Sequence, residues 1–246
     1  MTAPLFFVDP DGLNGIGPSE MFVLAGDEAR HAVVVLRIGA GEQVQIADGS
    51  GRVAQCTIVD THVTSLALRI DEIVETNQPA LRFVLMQALA KGDRDDQAIE
   101  AATELGVDAV IPWQAECSIV QWRGERGVKA HRKWAGVLRM AAKQSRRATV
   151  PELEAVVSGR MAVARLERAA RVIVLHEVST QHIGSIDLPN DGDVVVVVGP
   201  EGGVTSAELA AFEAVGGIST RLGPHVLRVS SAGPAALAIL LADSRW

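Results

Sequence analysis

The sequence predicts an α/β protein, with a mostly parallel sheet covered on both faces and a smaller β domain before it. From residue 81 onward, continuous apolar runs such as Val194 to Val198 alternate with helical stretches, as in strands buried on both faces. Before about Glu75 the apolar residues alternate in short runs around the turn Asp48-Gly49-Ser50-Gly51, which suits a small β domain. Between the two textures stands Asn77-Gln78-Pro79, a linker whose proline cannot continue a strand ladder. Domains are therefore expected over 1–75 and 76–246, and 246 residues leave ample chain for a core.

In the first part, residues 28–36 read as one helix. Val44 with Ile46, Val53, residues 57–59, and Leu66, Leu68 and Ile70 read as strands. In the second part, 81–88 is a strand and Lys91-Gly92-Asp93-Arg94 a polar loop. The helix that follows places Ile99, Ala102 and Leu105 on one face, with Asp95 and Asp96 at its positive end and Gly106 as its stop. Residues 107–112 form the next strand and 129–144 a basic helix. Strands at 171–175, 194–198 and 218–222 follow, and 235–242 closes the chain as an apolar helix. Thr205 and Glu208 have the spacing of a capping box, so a helix begins there.

A composition of 48% hydrophobic and 22% charged residues is that of a soluble globular protein. Met1-Thr2-Ala3-Pro4 lacks the basic start of a secretory signal, and the longest apolar runs fall short of a membrane span, so a cytoplasmic location without membrane contact is expected. Cys56 and Cys117 are far apart and lack metal-ligand spacing; free thiols and no metal are expected. The net charge of −7 hides a sharp asymmetry: residues 123–147 carry nine Lys/Arg against Glu125, a net +8, leaving −15 elsewhere. Such a stripe is either a phosphate-contacting surface or a solvated helix face.

Ligands of open α/β sheets lie beyond the carboxyl ends of the strands. Three such ends stand out: Leu175-His176-Glu177, Gly199-Pro200-Glu201-Gly202-Gly203 and Leu222-Gly223-Pro224-His225-Val226-Leu227-Arg228. Singly, each reads as a turn; together they suggest a pocket. A glycine turn between strand and helix suits a phosphate. This one carries Glu201, and lacks both the Lys-Ser/Thr of a P-loop and the spacing of a dinucleotide turn, which argues against a nucleotide oxidoreductase.

The ordered set Gly199–Gly203, Leu222–Arg228, Lys91-Gly92-Asp93-Arg94, Glu104-Leu105-Gly106-Val107 and Gln144-Ser145-Arg146-Arg147 resembles the RsmE family of bacterial rRNA uridine-N3 methyltransferases, over essentially the full length. The resemblance implies a C-terminal SPOUT methyltransferase domain with a trefoil knot and an N-terminal PUA-like β-barrel domain, the latter matched at Val35-Leu36-Arg37. It also implies S-adenosyl-L-methionine held by the three loops, a homodimer, and one uridine of 16S rRNA in the small ribosomal subunit as substrate. A sulfonium tolerates a nearby carboxylate that would repel a nucleotide. Leu175, His176, Glu177, Gly199, Pro200, Glu201, Gly202, Gly203, Leu222, Gly223, Pro224, Val226, Leu227 and Arg228 are then expected at the cofactor. Arg30, Arg37, Lys91, Arg94, Arg146 and Arg147 are expected at RNA.

For chemistry, Arg228 is the expected stabiliser of a uracil N3 anion, since arginine keeps its own proton. Glu201 is a candidate to remove the N3 proton, or a brace for its own loop. His176 and His225 are expected to be structural. The chain departs from the family pattern at His225 and Arg146, where arginine and glycine are usual, and at Val229-Ser230-Ser231, where threonine-rich triplets are usual. A non-catalytic RNA-binding relic and a tRNA methyltransferase are the rival readings.

Overall fold

The computed structural model describes residues 3–246, so the Met1-Thr2 start used above lies outside the described residues. The chain divides into two compact units. One runs to Gln78 and takes back Ala142–Val150; the other holds Pro79–Ala141 and Pro151–Trp246.

In the first unit, β1 (Leu5–Phe7), β2 (Met21–Ala25), β3 (Gln43–Ala47), β4 (Arg52–His62) and β5 (Ser65–Glu75) form a mixed sheet in the order β1-β3-β4-β5-β2. Only the β1–β3 pair is parallel. Val44 and Ile46 of β3, and Leu66, Leu68 and Ile70 of β5, alternate inward and close on Phe6, Leu24 and Ile58. The helix expected over 28–36 is present in two parts: α1 (Gly26–Arg30) continues as a π-helical turn over His31–Val35. Ala29 and Ala32 are buried, whereas Val34, Val35 and Leu36 are exposed.

The returning segment is bound to this unit by apolar contact. Ala142 is fully buried with Leu5, Phe7, Ala47 and Val53, and Ala148 and Val150 pack against the same group. The Val150 N–H donates to the Gly49 carbonyl at 2.9 Å, and Lys143 Nζ donates to Glu28 Oε2 at 2.6 Å. Arg146 and Arg147 therefore belong to the first unit.

The second unit carries β6 (Leu81–Ala88), α2 (Arg94–Leu105), β7 (Ala109–Trp113), most of α3 (Gly124–Gln144), β8 (Glu152–Leu153), α4 (Gly159–Leu166), β9 (Arg171–Leu175), β10 (Gly192–Val198), α5 (Ser206–Ala214), β11 (Gly217–Thr220) and α6 (Val229–Ala242). Its sheet is parallel throughout, in the order β11-β9-β10-β6-β7-β8. Val194 to Val198 are all buried, which explains why their sequence shows no polar alternation. Val195 and Val197 join Val84, Met86, Val172 and Val174 in one core layer with Phe212 of α5. On α6, Gly233 lies so close to Leu85 that a Cβ would come within 2.9 Å of Leu85 Cδ1.

Two helices begin earlier than the sequence suggests. α3 starts at Gly124 rather than 129, because its glycine-rich first turns carry no apolar periodicity to read. α6 starts at Val229 and contains Pro234, which reads as a stop but is tolerated early in the helix. α2 ends as expected, with Gly106 in the left-handed conformation at φ 117°.

Leu85 is fully buried between the sheet and α6. Leu85→Ala is expected to destabilise the second unit by about 2–5 kcal/mol, measured as a lower denaturation midpoint with the slope unchanged.

Candidate active site

The strand order sets the site. Because β11, β9 and β10 are consecutive neighbours, the loops that leave their carboxyl ends lie side by side. They enclose a cavity of about 510 Å³, within the range of small-molecule sites. Its wall takes Leu175, His176 and Glu177 from the first loop, Gly199 to Val204 from the second, and Leu222, Gly223 and His225 to Val229 from the third. Pro224 is absent from the lining, whereas His225 is part of it. The lining also includes Arg94, Val198, Thr220, Arg221 and Ala232, which the sequence analysis did not assign to it. Thr220 and Arg221 directly precede Leu222, so the position of the strand end was the only available signal.

The second loop is held from three sides. A Cβ on Gly199 would come within 2.8 Å of Val204 Cγ2, and one on Gly202 within 2.9 Å of Cys117 Cβ, so both positions are closed to side chains. Thr205 caps α5: its hydroxyl accepts the Glu208 N–H at 3.2 Å, and Glu208 Oε2 accepts the Thr205 N–H at 3.0 Å. Glu208 Oε1 also accepts the Glu116 N–H at 2.8 Å, tying in the segment that carries Cys117. A carboxylate of the chain thus occupies the helix N-terminus where a nucleotide phosphate would otherwise dock.

Glu201 reaches across to the loop before α2. Its Oε1 accepts from Arg94 Nη1 at 2.8 Å and from the Lys91 N–H at 3.3 Å. Burial pushes this carboxyl up, but its own backbone N–H, the Arg94 guanidinium and the Lys91 N–H outweigh burial and hold it below its ordinary range. A carboxylate so engaged is a weaker base and a better brace. The Lys91–Arg94 loop is further fixed by Asp95, which accepts the Ala90 N–H at 3.2 Å and whose carboxyl burial pushes up.

Arg228 is the N-cap of α6, exposed at the cavity rim, and has no ion-pair partner among the described residues. Deeper in the wall, His176 Nδ1, Thr220 Oγ1 and Arg221 Nε are buried without a hydrogen-bond partner, the condition of groups that await a polar ligand. Of the residues expected at RNA, Lys91 and Arg94 flank this cavity, with Arg94 committed to Glu201. Arg30, Arg37 and Arg146 are exposed in the first unit, and Arg147 is partly buried there, its Nη2 3.5 Å from Thr149 Oγ1. Arg146 has φ 57°, the left-handed region that favours glycine. Among the described residues, no cluster of His, Cys, Asp or Glu could hold a metal, and no helix is long and apolar enough to cross a membrane.

A parallel sheet with a glycine-walled cavity at its carboxyl end, on a chain that also carries a small mixed β unit, is the make-up of an RNA methyltransferase. Residues 76–241 match the model of the RNA methyltransferase domain, and residues 24–70 match that of the RNA methyltransferase PUA domain. The ribosomal RNA small subunit methyltransferase E of Mycobacterium bovis is 41% identical, over 100% of this chain and 94% of its own. The same enzyme from Neisseria gonorrhoeae, solved bound to S-adenosylmethionine, superposes with a TM-score of 0.84 at 25% identity, covering 98% of both chains. A Legionella pneumophila methyltransferase with bound cofactor gives 0.84 at 26% identity, covering 99% of this chain and 98% of its own. This chain belongs to the ribosomal RNA small subunit methyltransferase E family.

The Glu201 brace has a pH signature. Since its folded-state value lies below its ordinary 4.5, the pairing stabilises the protein above that value and is lost as pH falls through the folded one. Glu201→Gln is expected to cost roughly 0.2–1 kcal/mol at neutral pH, because the pair is partly exposed. In acid denaturation series the deficit should vanish toward the lowest pH.

Proposed function

We propose that this protein transfers a methyl group from S-adenosyl-L-methionine to N3 of one uridine of 16S rRNA in the small ribosomal subunit, as a cytoplasmic homodimer. The observation that carries the proposal is the convergence of three strand-end loops, two of them glycine-bearing, on one cavity, with the unpaired Arg228 in its lining. Relatives named for small-subunit rRNA, two of them aligned over nearly the whole chain, support the substrate.

The residues fit the cofactor. The unpartnered polar atoms of His176, Thr220 and Arg221 offer hydrogen bonds inside an otherwise glycine- and valine-rich wall. A Cβ at Gly223 would meet no protein atom within 4 Å, so the space it faces is free for a ligand. Gly199 to Gly203 and Leu222 to Leu227 would hold the cofactor, whose sulfonium makes the methyl electrophilic.

Uridine N3 is a poor nucleophile while it carries its proton. Arg228 lowers the cost of the N3 anion by placing a permanent positive charge beside the developing negative charge on the uracil carbonyls. Its position as an N-cap fixes the backbone of that side chain on a rigid element, because the Arg228 carbonyl accepts the Ser231 and Ala232 N–H groups. Glu201, engaged with Arg94, keeps its loop in place, and the N3 proton leaves to solvent.

The test is transfer of radiolabelled methyl to small subunits from cells lacking the modification, with the product identified as a nucleoside. Label in 3-methyluridine supports the proposal. Cofactor binding with label in tRNA alone, or with no label, rejects it. Arg228→Ala is expected to lower kcat by roughly 10²–10³-fold while cofactor affinity changes little. Gly223→Val should have the opposite profile, a folded protein that no longer binds cofactor in a calorimeter.

A further inference from the structure

We propose that a second cavity, beside the basic first half of α3, is a subsite for an unstacked nucleobase of the RNA substrate. This rests on the RNA methyltransferase reading above. The cavity measures about 400 Å³ and is lined chiefly by Trp122, Gly127, Val128, His131, Arg132 and Val156.

The site is built rather than incidental. The Trp122 N–H donates to Gln114 Oε1 at 2.9 Å, which fixes the strand of chain that delivers the indole. A Cβ on Gly127 would come within 2.9 Å of the Trp122 carbonyl carbon, so α3 can approach the tryptophan only with glycine there. On the far wall, His131 Nε2 lies 3.0 Å from the Glu154 carbonyl oxygen, joining the helix to the segment before Ala155 and Val156. The indole meets Trp134 and His131 edge-to-face, at interplanar angles of 79° and 80°, so neither ring stacks flat upon it.

Charge selects the occupant. Lys133 is paired with Asp96, and Lys143 with Glu28. Arg123, Arg126, Lys129 and Arg132 are exposed and have no ion-pair partner among the described residues. Of these, Arg132 lines the cavity, whose apolar floor includes Val128, 52% exposed; Arg123 directly follows the lining residue Trp122, whereas Arg126 and Lys129 fall on other faces of α3 than the lining positions. A basic solvated face has no use for an exposed valine over a tryptophan pocket, and an apolar peptide has no use for Arg132 in its wall with Arg123 beside it. A base seated on the floor with its flanking phosphates against the arginines uses both.

The experiment compares full-length protein with Val128→Glu and Trp122→Leu on small subunits from cells lacking the modification. Val128 is exposed, so its variant keeps the fold even if Trp122→Leu does not. The expected result is a roughly tenfold higher KM for subunits, with kcat at saturation and calorimetric cofactor affinity within twofold of the parent. An unchanged KM in Val128→Glu overturns the subsite while leaving methyl transfer intact. If the parent binds subunits but transfers no methyl, the function proposed above fails, and equilibrium subunit binding by the same variants decides the subsite instead. Parent protein that binds neither subunits nor their naked rRNA overturns both. An altered sedimentation coefficient in Val128→Glu with unchanged RNA affinity also overturns the subsite, by assigning this face to a second copy of the chain.

Discussion

The second unit depends on the burial of β10. Paired to β6 on one edge and β9 on the other, with Val194 to Val198 inaccessible on both faces, this strand has no surface left for polar function. Its neighbours share that constraint, so all chemistry is displaced to the loops at the strand ends. The parallel direction of every strand then places those loops at one end of the sheet, and the neighbour order β11-β9-β10 brings three of them together.

Those loops solve a mechanical problem with charged groups. Glycine-rich backbone that approaches a ligand closely has little packing of its own to keep it in place. Glu201 ties the loop after β10 to the loop before α2, and Glu208 ties the start of α5 to Glu116. These carboxylates are consumed by construction. Arg228 and the exposed cations at the start of α3 are left unpaired among the described residues. The distinction between paired and unpaired charges is not visible in a count of +8 along a segment.

Much of the fold was legible because it rests on local pattern. The buried strands are continuous apolar runs, the capping box at Thr205 and Glu208 is a fixed spacing, and Gly106 marks a helix end. The site loops were legible as strand ends in a fixed order, two of them glycine and proline turns. What was not legible depends on distant packing. Nothing in the spacing of Ala142, Ala148 and Val150 indicates that they close on Leu5, Phe7, Ala47 and Val53, far back in the chain. The role of Arg94 as partner of Glu201 was equally hidden, since a basic loop residue looks the same whether it faces RNA or a carboxylate. Thr220 and Arg221 reach the cavity because β11 stops at Thr220, and strand ends are poorly defined by composition.

The closure of Gly199 and Gly202 against Val204 and Cys117 has a consequence for how such a chain can change over generations. An exposed, unpaired cation at the start of α3, such as Arg126, can be exchanged with the fold intact, so that surface can drift through many neutral intermediates. Gly199 and Gly202 have no such intermediates, because the smallest possible enlargement at either already collides with a neighbour. Variation is therefore channelled away from the cofactor turn and toward the rim and the basic helix.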